Sequence, residues 1–565
     1  MNFKDFIITD RENRNSEKFE GTFLDYLEIV KQNPDVAKLS HKRLYDFIMS
    51  KGVEVLKADE NPRIRKIYGN ETIREYGYFK DDFFGIDKVI MKIVNYLHSA
   101  SMKGEESRQV LYLVGPVGAG KSSLVESLKS ALVHCEPIYS IKGCPMHEEP
   151  LHLVPNHLRD EFNKMLGAQI EGDLCPVCKY RLLHEFNGEY ENFPVERKGF
   201  SIRSRKGIGV VPPVDPNNQD TSILTGSIDI SKMDMYPEDD PRIFSLNGAF
   251  NVGNRGLVEF IEVFKNDVEY LHTIITATQE KSIPSPGKGS MIYFDGIIIA
   301  HSNEAEWNKF KSDHTNEAIL DRIVKVEVPY CLELEEEIKI YEKILKKSNF
   351  RAHIAPHTIE VAAMFAILSR LTPSAKVDPM TKLKIYNGED LVEKGTTKKI
   401  DIIELREEAG PYEGMKGIST RFIIKAIDNA LSNSEFDCIN PLSIMESIIK
   451  SVKDLDISAD DKKKYLGFIQ DTIRKEYNKI LEKEITKAFI HSFKEQAESL
   501  FNNYIDNAEA FVNKTRIKDA QTGEELNPDE DFMRNIEEQI GVSEASSKGF
   551  RADVTSYMFY LVRNG

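Results

Sequence analysis

Residues 110–127 read VLYLVGPVGAGKSSLVES. An apolar run empties into Gly115-Pro-Val-Gly-Ala-Gly120-Lys121-Ser122, and an amphipathic helical pattern follows. A Gly-x4-Gly-Lys-Ser string between strand and helix predicts a loop that cradles a phosphate chain. The glycines let backbone N–H groups turn inward, and the helix presents its positive dipole end to the charge. Lys121 then reaches the β- and γ-phosphates and the Ser122 hydroxyl holds Mg2+. The expected contact set is Gly115, Gly118, Gly120, Lys121, Ser122 and Ser123, with ATP and Mg2+ as ligands.

At 565 residues and 41% hydrophobic content, the chain can bury real cores in about three or four domains. It carries 75 basic against 91 acidic side chains, a net charge of −16. That balance disfavours binding to nucleic acid or an anionic membrane, which want a basic field. Six cysteines are too few for a disulfide scaffold in a chain of this size, and a reducing compartment fits best. The N-terminal MNFKDFIITDRENRNSEKFE scatters charges and does not read as a signal peptide. No apolar run approaches the ~20 residues of a membrane helix, so the cytoplasm is expected.

Outward from the loop, residues 1–74 read as a small helical cap, with FLDYLEIVKQNP and HKRLYDFIMSKG spaced for helices. FFGIDKVIMKIVNYLHSASMKG, residues 83–104, is an amphipathic helix leading into the strand. Between about 134 and 250, prolines, glycines, paired cysteines and the polar VVPPVDPNNQDTS read as an insertion. Strand and helix patterns return from Asn254 to Tyr330, including the buried run IIIA that ends at Ala300. TIEVAAMFAILSRL is helical, and 372–416 is irregular, with a hairpin turn expected at Asn387-Gly388. A long helical run is expected from Asp460 to Lys514, with Phe468, Ile469, Ile473, Ile480, Leu481, Ile485 and Phe489 as packing positions. A short helix introduced by Asn527-Pro528 and stopped by Gly541 follows.

Further motifs follow the loop in order. MIYFDGIIIAHSN ends a buried strand on Asn303, AILDRIVKVEVPY places Arg322 after an Asp, and GISTRFIIKAIDNAL sets Arg421 at a helix start. Gly85-Ile86-Asp87 opens the helix ahead of the loop strand. This succession resembles the AAA+ ATPases. The resemblance implies a segment closing over the base at Gly85, a water-orienting sensor at Asn303, an arginine finger for a neighbour's γ-phosphate at Arg322 and a lid sensor at Arg421. The acidic motif departs from the family pattern of an Asp followed by Glu at a strand end. GLVEFIEVFK offers Glu262 to polarise water, since Gly256 to Glu262 has the length of the strand, and Glu259 to replace or assist the metal ligand.

The whole chain is similar to the PrkA family through GPVGAGKSS, CPMHEEPLHLVP, LCPVC, GNRGLVEFIEVFK, TATQEKSIPSPGKGSMIYFDGIIIAHSNEAEW, RIVKVEVPY and GISTRF. The fold implied is α/β: an AAA+ P-loop core with a parallel sheet, a helical lid, the helical N-terminal cap and a mainly helical C-terminal domain. The expected boundaries are 75–355 for the core, 356–435 for the lid and 436–565 for the C-terminal domain. Family members generally continue beyond Arg563-Asn564-Gly565, which leaves a trimmed C-terminus open.

Cys144-Pro-Met-His147 and Cys175-Pro-Val-Cys178 are two knuckles of spacing two, each stiffened by a proline. Cys144, His147, Cys175 and Cys178 form a ligand set for a tetrahedral structural Zn2+, with His152 and His157 as rivals to His147 and metal-free reduced cysteines as the alternative.

The family resemblance implies a serine protein kinase in bacterial stress, starvation or sporulation signalling. Protein-kinase signatures are not recognisable: Phe294-Asp295-Gly296 and Gly287-Lys288-Gly289-Ser290 lack the required order or context. A second reading is an ATP-driven ring that remodels or degrades a protein substrate, with 278–291 resembling a loop some AAA+ branches project to the ring centre. No Lon-like nucleophile is visible for proteolysis. A third is a nucleotide-switched scaffold. A homo-oligomer promoted by ATP is expected from Arg322.

Overall fold

A computed structural model describes residues 3–564 apart from 17, 214–219, 239, 267, 288–289, 349–351, 390–400, 433–437, 493, 519–524 and 541. Gly541, the Lys288-Gly289 pair and parts of the expected irregular stretches at 210–222 and 372–416 lie outside the described residues.

The central sheet has five parallel strands: β1 (Val110–Val114), β2 (Ile208–Val211), β3 (Leu257–Ile261), β4 (Ile297–Ser302) and β5 (Ile323–Glu327), in spatial order β5-β1-β4-β3-β2. Strands buried on both faces carry no polar alternation, which is why VLYLV and IIIA read as continuous apolar runs. Alternate residues of β1 feed opposite cores. Leu111 and Leu113 pack with helices α1 (Asp87–Ser101) and α2 (Lys121–Val133), whereas Val110, Tyr112 and Val114 face Phe250, Phe260 and Trp307.

The Cys-rich insertion shares this second core. Its strands Ile138–Ile141 and Pro194–Lys198 pair with each other, and the latter also pairs with Glu20–Thr22 from the N-terminal region. Phe23, Tyr26, Cys144, Phe193 and Val195 all join the cluster beneath β1 and β3.

Helix α3 (Glu304–Lys311) follows β4. Helices α4 (Leu334–Lys347), α5 (Thr358–Arg370), α6 (Thr420–Ser432) and Pro441–Lys453 pack against one another, α5 and α6 being the two of these within 356–435, the range expected for the lid. Helix α5 is apolar on nearly every face and buries Arg370, whose guanidinium pairs with Glu337 at 2.8 Å and donates to the Cys331 and Ile418 carbonyls.

The chain divides into two compact units, Met1–Ile469 and Gln470–Gly565. The second contains Arg474–Ser492, Lys494–Asn513, Glu530–Gln539 and Ser547–Asn564, with Tyr504 and Arg551 both bonded to a buried Glu537. Among the described residues, no helix is long and apolar enough to cross a membrane.

Three local expectations change. Asn387-Gly388 ends the helix Pro379–Tyr386 instead of turning a hairpin: Gly388 has φ +77, the left-handed cap that glycine supplies at a helix C-terminus. The late helix starts at Asp529, whose side chain accepts from Phe532 N, so Asn527 is not its cap. Leu481, Ile485 and Phe489 are exposed, whereas Phe468, Ile469 and Ile473 are buried.

Candidate functional site

The loop between β1 and α2 lies at the carboxyl edge of the sheet, where β1 stands between β4 and β5 and the order of strands reverses. Ligands of open α/β sheets bind at such switch points. Gly115 is required by contact, because a Cβ there would sit 2.1 Å from the Val328 carbonyl oxygen. Gly120 is required by conformation: it starts α2 at φ +95 with no side-chain cap, leaving the first-turn N–H groups for an anion.

Lys121 is buried, and its ammonium donates to the carbonyls of Gly115 at 2.7 Å and Pro116 at 2.8 Å. Burial lowers its pKa, Glu262 opposes that and Arg421 adds to it. A cleft of about 680 Å3 opens over the loop. Gly118, Gly120, Lys121, Ser122 and Ser123 line its polar end, Phe83, Phe84, Ile86, Ile340 and Ile344 its apolar side, and Thr420 and Arg421 of the lid also face it. Such a cleft can take a phosphate chain against backbone N–H groups and a flat apolar ring against the aromatic and aliphatic wall.

Strand register gathers the other polar groups. Ile261 is paired with His301 and Ser302 with Val114, so Glu262, Asn303 and Gly115 all follow the carboxyl ends of neighbouring strands. Asn303 caps α3, its side-chain oxygen accepting from Glu306 N at 2.9 Å, which leaves its NH2 as a donor. Glu262 stands just past β3, at φ +49. Glu306 joins it: Lys265 Nζ lies 3.6 Å from a carboxylate oxygen of each. Burial, and then Glu262, raise the pKa of Glu306. The sequence reading missed Glu306, because an acid three residues after a capping Asn reads as helix chemistry.

Glu259 is not available to a metal at this edge. It lies mid-strand and buried, ion-paired with Lys129 of α2 and 3.1 Å from His301 Nε2. The strand is β3, Leu257–Ile261, so two residues separate Glu259 from its end.

Arg322 and Arg421 part company. Arg421 lines the cleft of its own chain. Arg322 precedes β5, and its carbonyl accepts from Val110 N at the amino end of β1. Its guanidinium donates to the Ala318 carbonyl at 2.5 Å and to Gln279 at 2.6 Å.

Away from the cleft, Cys144, Glu148, Cys175 and Cys178 bring one ligand atom each within 4.8 Å of one another, all four buried. This corrects the fourth ligand. His147 stands outside the group, and neither His152 nor His157 replaces it: the expected imidazole gives way to the carboxylate of Glu148. His147 itself adopts φ +51 and lies half-buried beside the group without joining it. Burial opposes a thiolate at Cys144, but bonds from the Cys175 and Cys178 thiols outweigh it and bring the pKa well below the ordinary thiol value. Burial and the bond to Cys144 push Cys175 up, and bonds to Cys144 and Cys175 push Cys178 up. Three sulfurs and a carboxylate, dry and convergent, fit the donor set and coordination number of zinc.

Two family models cover nearly the whole chain: the PrkA AAA domain matches residues 21–378 and the PrkA serine protein kinase C-terminal domain residues 380–565. A Bacillus subtilis protein named ATP-dependent protease PrkA is 40% identical over 98% of this chain and 86% of its own length. An Escherichia coli protein named serine/threonine kinase YeaG is 34% identical over 99% and 87%. A Lon protease of Methanosphaera stadtmanae is 34% identical over only 20% of this chain and 13% of its own. With loop, sheet order, lid and both matched domains in one chain, this protein belongs to the PrkA family of AAA+ ATPases.

Proposed function

We propose that this chain hydrolyses ATP at an interface between copies of itself and uses the cycle to act on a protein substrate. The separation of Arg322 from Lys121 carries the reading. The arginine precedes β5 at one end of the sheet and the loop follows β1 at the other, with the register Ile323↔Val110 to Glu327↔Val114 between them. That is roughly 13 Å of strand at ~3.3 Å per residue. The guanidinium therefore complements a γ-phosphate of a neighbouring chain and not its own.

In the cleft Lys121 exchanges its carbonyl partners for phosphate oxygens and Arg421 approaches the phosphates from the lid, while the Asn303 NH2 and Glu262, at the neighbouring strand ends, hold the attacking water. Ser122 and Glu262 are the groups that would hold Mg2+, which when bound neutralises charge on the β- and γ-phosphates. Cys144, Glu148, Cys175 and Cys178 would hold a structural zinc, closed by four protein ligands.

The protein-kinase reading stands second, favoured by the C-terminal family match and the Escherichia coli relative. A place in bacterial stress, starvation or sporulation signalling belongs with that reading. It needs the same grip on the triphosphate, with a serine hydroxyl replacing water. Incubation of wild type and Lys121→Ala with γ-labelled ATP and a candidate protein separates the outcomes. Free phosphate released by the wild type alone is expected, and hydrolysis retained by Lys121→Ala sinks the assignment. Lys121-dependent phosphoprotein would put the kinase ahead, and Lys121-dependent peptide fragments a protease.

A further inference from the structure

Strand β3 ends at Phe260-Ile261 and Glu262 follows it, so an isoleucine occupies the position before Glu262 where an acidic pair would have its first carboxylate. Glu259 cannot make up the loss, being held by Lys129 and His301 inside the sheet. Glu306 can. It is the third residue of α3 after the Asn303 cap, where a Glu commonly folds back to the cap's own backbone N–H. Here that return bond is absent and the carboxylate is directed toward Glu262 and Lys265.

Glu262 Oε2 and Glu306 Oε2 are each buried without a hydrogen bond, in side chains that are 29% and 18% exposed. Two like charges brought together and partly desolvated repel until a proton or a cation is shared between them, and Lys265 stands off at 3.6 Å from each carboxylate. Glu262 holds its place at φ +49, a conformation that costs a non-glycine residue energy and recurs at functional sites. The strand register sets both acids at the edge where the phosphate loop begins.

We propose that Glu306 is the second carboxylate of the divalent-cation site, acting with Glu262 in place of the acid that Ile261 displaces. The inference rests on the nucleotide reading above and names the residue that completes its metal site. Mn2+ is the probe, with bound ion counted by electron paramagnetic resonance in the presence of a non-hydrolysable ATP analogue. Glu306→Gln is expected to weaken Mn2+ binding about 10–100-fold while metal-free nucleotide affinity and thermal midpoint stay at wild-type values. Glu306→Asp should fall between, and Ile261→Asp added to Glu306→Gln should recover most of the loss. Unchanged Mn2+ affinity in Glu306→Gln overturns the proposal, and a lowered midpoint with unchanged affinity assigns Glu306 to the helix instead. A wild-type protein that binds no nucleotide overturns the nucleotide reading itself, whereas wild-type nucleotide affinity with an indifferent Glu306 removes the metal role alone.

Discussion

His147 and Glu148 are adjacent, yet only one is placed to serve the three sulfurs. Spacing in the sequence finds the knuckles, because two residues between ligands is what a tight turn imposes. It does not find the fourth ligand, because spacing alone does not say which of two adjacent side chains reaches the sulfurs. The imidazole is instead buried near Lys198, and its pKa falls to about 4, burial being the larger cause. One zinc per chain is therefore expected to co-purify with wild type and with His147→Ala, since structural zinc binds tightly enough to survive purification. Glu148→Gln should lose most of it on dialysis against a mild chelator. Elemental analysis decides between the two side chains: zinc kept by Glu148→Gln and lost by His147→Ala would restore the histidine reading. The same limit on legibility applies to Glu306, whose type and spacing suit a helix cap and whose direction only the fold reveals.

At the scale of elements, β3 and α2 are tied together by charge as well as by packing. Glu259 in the strand accepts from Lys129 of the phosphate-loop helix and from His301 of β4, so three elements that carry the site share one buried ion cluster. The periodicity of GLVEFIEVFK identifies the strand but not which acid ends it, since Glu259 and Glu262 differ by three residues and both fall within a strand-length run from Gly256. Glu259→Gln leaves Lys129 buried with only the exposed Glu126 as partner, and should cost about 3–5 kcal/mol of stability while the remaining folded protein turns over ATP normally. Acid sensitivity gives the second readout. Burial raises the pKa of Glu259, but the bonds from His301 and Lys129 outweigh it, so the folded value lies below the ordinary 4.5. A depressed carboxylate stabilises fully above its unfolded pKa, and the contribution is lost as pH falls through the folded value. Urea midpoints measured from pH 6 to 3 should thus fall less steeply for Glu259→Gln than for wild type. A variant with wild-type midpoints and no turnover would return Glu259 to the metal.

The phosphate loop, the order of motifs and the parallel sheet were legible in the sequence because each rests on local chemistry: a glycine where backbone meets backbone, an apolar run where both faces are covered. What remained hidden depends on distance across the molecule. Arg322 and Arg421 look alike as residues flanking helices and strands, and the fold separates them, one in the cleft and one beyond the far end of β1. In the single chain Arg322 is engaged with Gln279, so assembly has to trade that bond for a phosphate of the neighbour. ATP should accordingly promote a self-associated form with a specific rate that rises with protein concentration. Arg322→Ala and Lys121→Ala should each be inactive alone, the first lacking the donated charge and the second the phosphate grip. Mixed in equal amounts, they can form interfaces in which an intact Lys121 faces an intact Arg322, and hydrolysis should recover to a fraction of wild type. Recovery on mixing is a property of the assembly and of no single chain. A fully active Arg322→Ala, or a rate unchanged down to concentrations where sedimentation detects only monomer, would remove the arginine from the reaction and leave ATP acting on one chain at a time.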